Sequence, residues 1–235
     1  MTGVDPVTGA VAGAVVKLVI DRGAPAGLRL VRSWLRGQTV LIVGPGASGK
    51  TTFLQYLQFG IFLHEQEHQK TYHALESPRF NLALGPNKNL NVSIKTAVDL
   101  PGQDADITDI VVAQRPHAMV VILDCASKAK REESAKWLTE FLQLLDQRWL
   151  GKSTKKNRLR TMIVVMNKID KLSGAWDSKF ERPYRQAFDL HFKAARGPLM
   201  PDIKFRQCVM VESSDGTKWV DAVLIDLATG LQRKA

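Results

Sequence analysis

The sequence has little cysteine: only Cys125 and Cys208 occur in 235 residues. Both sit in apolar, strand-like runs, so they read as small buried side chains in a reducing compartment, and a disulfide framework or cysteine-ligated metal is not expected. Long apolar runs are missing too. The longest candidate, Val11 to Ile20, is too short to cross a bilayer and contains Lys17. Ala24-Pro25-Ala26 imitates a small-residue cleavage site, but no positive cluster stands in the first ten residues, which argues against a secretory signal. No lipidation signal is expected: Thr2 rather than glycine follows Met1, and Leu231 to Ala235 offers no prenylatable cysteine. Repeats and low-complexity tracts are likewise missing, leaving a chain long enough for one substantial core. Charge is not scarce. The net charge of +10 permits contact with an anionic surface without requiring it, and nucleic acid is not an expected partner.

What the chain does contain centres on Gly44-Pro45-Gly46-Ala47-Ser48-Gly49-Lys50-Thr51. An apolar run, Thr39 to Val43, precedes it, and a helix-compatible segment, Thr52 to Leu57, follows. Strand, glycine-rich turn and helix together are the context of a P-loop. Gly44, Gly46 and Gly49 let the backbone curl, so that N–H groups through Ala47, Ser48 and Thr52 point at phosphate oxygens beside a helix N-terminus. Lys50 can reach the β- and γ-phosphates, and the Thr51 hydroxyl can hold Mg²⁺.

Before the P-loop, Leu28, Val31 and Leu35 fall at helical spacing with Arg29, Arg32 and Arg36 on another face. Such a helix can lie on an anionic membrane or pack on its own domain, and the sequence favours neither. After the first helix, Phe80 to Leu84 and Val92 to Val98 read as a hairpin. Its second strand delivers Asp99-Leu100-Pro101-Gly102-Gln103: Asp99 is placed to serve Mg²⁺ through water, and Gly102 can turn its N–H toward a γ-phosphate. Met119 to Leu123 and Thr161 to Met166 are continuous apolar runs, as expected of central parallel strands. The second ends in Asn167-Lys168-Ile169-Asp170. This box resembles the Asn-Lys-x-Asp of GTPases, which implies that Asp170 accepts two guanine donors, N1–H and the exocyclic amine, together; adenine offers no such pair.

With these boxes in this order, the chain resembles the Ras-like small GTPase superfamily, and in Asp-Leu-Pro-Gly the branch of Arf-like proteins and the signal-recognition-particle receptor β subunit. The resemblance implies that Gln103 orients the attacking water, with Lys50 as the other catalytic group. It implies that Asn167 ties the base to the P-loop, that the Lys168 stem covers the ring, and that the backbone at Ser214 approaches the guanine carbonyl. It also implies a switch hydroxyl on Mg²⁺, for which Thr71 fits by separation and Ser77 by its place before the strand. GTP, GDP and Mg²⁺ are the implied ligands. An effector, an exchange factor and an activating protein are the implied partners, and the cytoplasm, or the cytoplasmic face of a membrane, is the implied location. Hydrolysis is expected to be slow unaided, because no arginine stands just before either switch candidate. A receptor or scaffold subunit that binds GTP with little hydrolysis is the alternative.

The expected fold is α/β: a doubly wound P-loop GTPase domain over 38–235 with a mostly parallel sheet, preceded by a helical extension over 1–37. A helix is expected over Arg131 to Trp149, a last strand over Cys208 to Val211, and a closing helix from about Gly216 to Gly230. Lys152 to Arg160 reads as a basic loop, either solvated or facing a membrane or an acidic partner. Residues 171–200 hold one further helix between Pro183 and Pro198, of no assigned role.

Overall fold

The computed structural model describes residues 37–59, 62, 75–76, 80–84, 90–99, 107–150, 159–172, 174–192, 201–210 and 214–232. The arginine-rich stretch before Gly37 and most of the basic loop lie outside the described residues.

Among the described residues, seven strands form one sheet: β1 (Gln38–Val43), β2 (Leu75–Glu76), β3 (Phe80–Leu84), β4 (Leu90–Asp99), β5 (Ala118–Asp124), β6 (Thr161–Asn167) and β7 (Asp202–Gln207). Their order is β2-β4-β1-β5-β6-β7, with β3 also paired to β4. β4, β1, β5, β6 and β7 are joined by parallel pairings, whereas β2 and β3 run antiparallel to β4. Among the described residues, four α-helices fall between strands, α1 (Lys50–Phe59), α2 (Ile107–Gln114), α3 (Lys128–Leu150) and α4 (Arg182–His191), and a fifth, α5 (Ser214–Gln232), follows the last strand.

The central strands are apolar throughout because both of their faces are covered. A strand sends successive side chains to opposite sides, so a strand buried on both needs an unbroken apolar run. Leu41, Val43, Met119, Val121, Leu123, Met162, Val164 and Met166 face one core layer, filled by α2, α3 and α4. Val40, Ile42, Val120, Ile122, Ile163 and Val165 face the other, filled by α1 and α5. Helical spacing does the rest. Leu138, Leu142 and Leu145 line the buried stripe of α3, and Val220, Val223, Leu224, Leu227 and Leu231 that of α5. Each such side chain contributes about 1.5–3 kcal/mol when fully buried. This is a doubly wound α/β fold.

Strand order reverses at β1. The chain leaves it toward β4 on one side and returns on the other at β5, which makes the carboxyl end of β1 a topological switch point. The P-loop stretch begins there.

Two elements differ from the sequence reading, and a third gains a role. The last strand is Asp202–Gln207, not Cys208 to Val211. An edge strand is only half covered, so its polar and charged residues concealed it; Cys208, which follows it, lies outside the strand and donates its N–H to Met166 O at 2.8 Å. α2 lay in a stretch given no element. The unassigned helix, α4, starts at Arg182 with Pro183 in its first turn, and Tyr184, Ala187 and Phe188 complete the core beside α3. The hairpin is present: Phe80 pairs with Ile94 and Leu84 with Leu90.

Candidate functional site

β1 ends at Val43 and the chain turns sharply. Gly44 has φ 154°, and a Cβ there would lie inside contact distance of the Ile122 carbonyl oxygen on β5. No other residue fits without moving a central strand. Ala47 adopts a left-handed φ of 57° and Gly49 a φ of 103°. A Cβ on Gly49 would stand 2.5 Å from Asn167 Nδ2, so this glycine makes room for the asparagine that grips the loop. Lys50 opens α1, is buried, and folds back so that its Nζ donates to Pro45 O at 3.0 Å. Ser48 is fully buried and, among the described residues, its Oγ has no hydrogen-bond partner. Gly46 is exposed at the tip, and Thr51 and Thr52 are half-buried on the first turn of α1.

The end of β6 closes on this loop. Asn167, almost fully buried, donates from Nδ2 to Ser48 O at 2.9 Å and accepts from Met210 N–H at 3.2 Å. One amide thus holds the P-loop against the segment after β7. Lys168 follows with a left-handed φ of 64°, and its Nζ donates to Ala47 O at 2.6 Å and to Asp124 Oδ2 at 2.8 Å. Ile169–Lys171 forms a 3₁₀ turn that carries Asp170 outward to the surface, 3.7 Å from Lys171 Nζ.

The P-loop residues, Asn167 and Lys168 are therefore brought together, with Asp170 in the adjoining turn. Asp99 ends β4 and pairs in register with Ile42 of β1, at the same edge of the sheet. Ser214 begins α5. Gly102, Gln103, Thr71 and Ser77 lie outside the described residues.

One residue at this edge was missed. Asp124 ends β5 and is 5% exposed. Besides its bond to Lys168, its Oδ1 accepts from Ala126 N–H at 3.0 Å, and its backbone carbonyl accepts from the buried Ser134 Oγ at 3.0 Å. The available signal was an acid closing an otherwise wholly apolar strand.

An inward-turned loop, a buried lysine and an orphaned buried hydroxyl suit an anion rather than a neutral ligand. Among the described residues, no group of three or more His, Cys, Asp or Glu is arranged to hold a metal ion, and no helix is long and apolar enough to cross a membrane.

No family model matches the chain, and no curated protein matches it in sequence. Among solved structures, that of the mammalian SRP receptor is similar over 82% of this chain and 100% of that one, with TM-score 0.57 and 19% identity. The two share a fold.

Proposed function

We propose that the protein is a GTP-binding molecular switch that hydrolyses GTP to GDP with Mg²⁺, slowly without an activating partner. The observation that carries this reading is the 2.9 Å hydrogen bond from Asn167 to the Ser48 carbonyl. It couples a turn suited to read a base to a loop suited to hold phosphates, so one nucleotide can span both. The fold shared with the SRP receptor supports the same reading.

In this reading the N–H groups of Gly44 and of Gly46 to Thr52 cradle the phosphates, and Lys50 leaves Pro45 O for the β- and γ-phosphate oxygens. Its 3.0 Å bond to that carbonyl holds the ammonium over the loop beforehand. Ser48 Oγ gains an anionic acceptor in place of none. Thr51 and Asp99 suit Mg²⁺, which takes few protein ligands beside phosphates and water and, when bound, neutralises charge on the phosphate oxygens. Gly102 orients the γ-phosphate and Gln103 the attacking water, with Thr71 or Ser77 as the switch hydroxyl. Asp170 accepts the two guanine donors, the Lys168 stem lies over the ring, and the backbone at Ser214 closes the base pocket.

The unit doing this is 38–235. In the extension, 1–37, the arginine face opposite Leu28, Val31 and Leu35 supports reversible attachment to an anionic membrane surface on its cytoplasmic face, with packing on the 38–235 unit as the alternative. Effector, exchange and activating proteins act on the two nucleotide states; the neighbouring structure is that of a receptor, which supports protein partners for this chain as well.

Competition binding of GTP, ATP and xanthosine triphosphate to wild type and Asp170→Asn tests the reading. The Asn amide faces the guanine amine but finds the xanthine carbonyl, so the mutant is expected to lose GTP affinity and prefer xanthosine triphosphate. One mismatched group costs about 1–3 kcal/mol, roughly ten- to a hundredfold. No preference for GTP over ATP in wild type, or retained guanine preference in the mutant, would sink it.

A further inference from the structure

Lys168 and Ala47 are two non-glycine residues in left-handed conformations, φ 64° and 57°, held by one ammonium group. Side chains disfavour that region, so each turn persists only where its surroundings over-determine it. For the ammonium to hold both, something must fix the ammonium. Its second partner, at 2.8 Å, is Asp124 Oδ2.

Asp124 is itself immobilised. Its Oδ1 is taken by Ala126 N–H, and its carbonyl by Ser134 on α3. Its pairing in register with Asn167 sets it directly beside the turn it serves, and Cys125 N–H donates to Asn167 O at 2.9 Å to lock that neighbourhood. A buried carboxylate this well satisfied is a fixed negative point, and a charge-assisted bond to it outweighs a neutral one. Lys168 is one-third exposed on its side chain, so in the absence of Asp124 its ammonium could turn to water and release Ala47.

We infer that Asp124 is a positioning residue: acting through Lys168, it sets the geometry of the P-loop at Ala47 and of the turn that carries Asp170. It meets the Asp170 turn through Lys168 and reaches Ala47 by way of the same ammonium. Without it, the site loses preorganisation rather than a contact, and the loss falls on nucleotide residence time. Only this last consequence rests on the guanine-nucleotide reading.

The test uses the full chain with Asp124→Asn, which keeps an acceptor for Ala126 N–H but removes the charge, with Lys168→Met, and with the double variant. Amide hydrogen exchange without nucleotide is followed at Phe53, which bonds to Gly49 O, at Lys171, which bonds to Lys168 O, and at Met210, which bonds to Asn167. Each single variant is expected to speed exchange at these amides about tenfold, and the double no more than the larger single effect, since groups sharing one interaction are not additive. Central β5 amides should not change. Wild-type exchange in Asp124→Asn, effects that multiply in the double variant, or equal acceleration along all of α3 would overturn the inference. If Asp124→Asn does not fold, Asp124→Glu, which retains but displaces the charge, enters the same cycle with the same expectations.

Dissociation of GTP and GDP is then measured on the same proteins. Roughly tenfold faster release in each single variant, with no further gain in the double, is expected. If wild type binds no guanine nucleotide, the functional reading falls while the exchange cycle still decides Asp124. If wild type binds and Asp124→Asn releases nucleotide as wild type does, the inference falls and the reading stands.

Discussion

Asp226 on α5 shows how much a single side chain can carry at the edge of the sheet. It is buried and accepts from Lys204 Nζ at 2.7 Å and from Arg206 Nε, both on β7. Burial alone would push its carboxyl up. The hydrogen bonds from Arg206 and Lys204, with their charges, outweigh that and hold it below the usual carboxylate value. Because the folded carboxyl titrates below the unfolded one, near 3.9, its stabilisation is complete above that pH and is lost as pH falls through the folded value. Asp226→Asn is expected to cost about 1–2 kcal/mol at pH 7, allowing for the partial exposure of Arg206. The deficit should shrink below about pH 4. Urea unfolding of both proteins at pH 7 and pH 3 checks this; a deficit that does not change with pH would count against the ion pair as its source. At this scale the sequence was only partly informative. Asn167 and Lys168 were legible because their neighbours in the chain define them. Asp124 and Asp226 were not, because their meaning lies in partners 44 and 20–22 positions away.

Among elements, legibility followed burial. β1, β5 and β6 could be read because strands covered on both faces must be apolar throughout. β7 carries Asp202, Lys204 and Arg206 in six residues, and an edge strand with that composition has no apolar signature. The glycine near the end of α5 illustrates a constraint visible only in three dimensions. A Cβ on Gly230 would stand 2.6 Å from Cγ2 and 2.7 Å from Oγ1 of Thr161, the first residue of β6. Thr161 is fully buried, β-branched and bound through Oγ1 to Asp202 O at 3.1 Å, so it cannot swing away. Helix propensity alone would make Gly230→Ala stabilising by about 1 kcal/mol. Overpacking is expected to win, with a net loss of about 1–3 kcal/mol by denaturant unfolding. A gain in stability would mean that α5 can shift off the sheet at little cost.

For the whole molecule, the site is a property of the sheet edge. The glycine-rich loop, Asp99, Asp124 and Asn167 lie at the carboxyl ends of adjacent strands, so a ligand there would brace β4, β1, β5 and β6 together. Ligand that binds only the folded state at a hundred times its Kd adds about 2.7 kcal/mol. For a domain of this size that is a rise in Tm of roughly 5–10 °C. GDP with Mg²⁺ is expected to produce it and ATP is not, by differential scanning fluorimetry; equal shifts would remove the base reading.

The two cysteines have a use that does not depend on the site. Cys125 packs in the layer with α2, α3 and α4, and Cys208 in the layer with α1 and α5. Burial pushes their thiols up to about 11 and about 12, and each is shielded from solvent. Because the thiolate is the reacting species, alkylating reagents should leave the native protein unmarked. Each side of the sheet therefore holds one silent reporter that answers only when its own layer opens. Mass-resolved labelling at moderate urea would time the two openings separately: matching rates mean that the sandwich comes apart in one cooperative event, and unequal rates name the layer that peels away first.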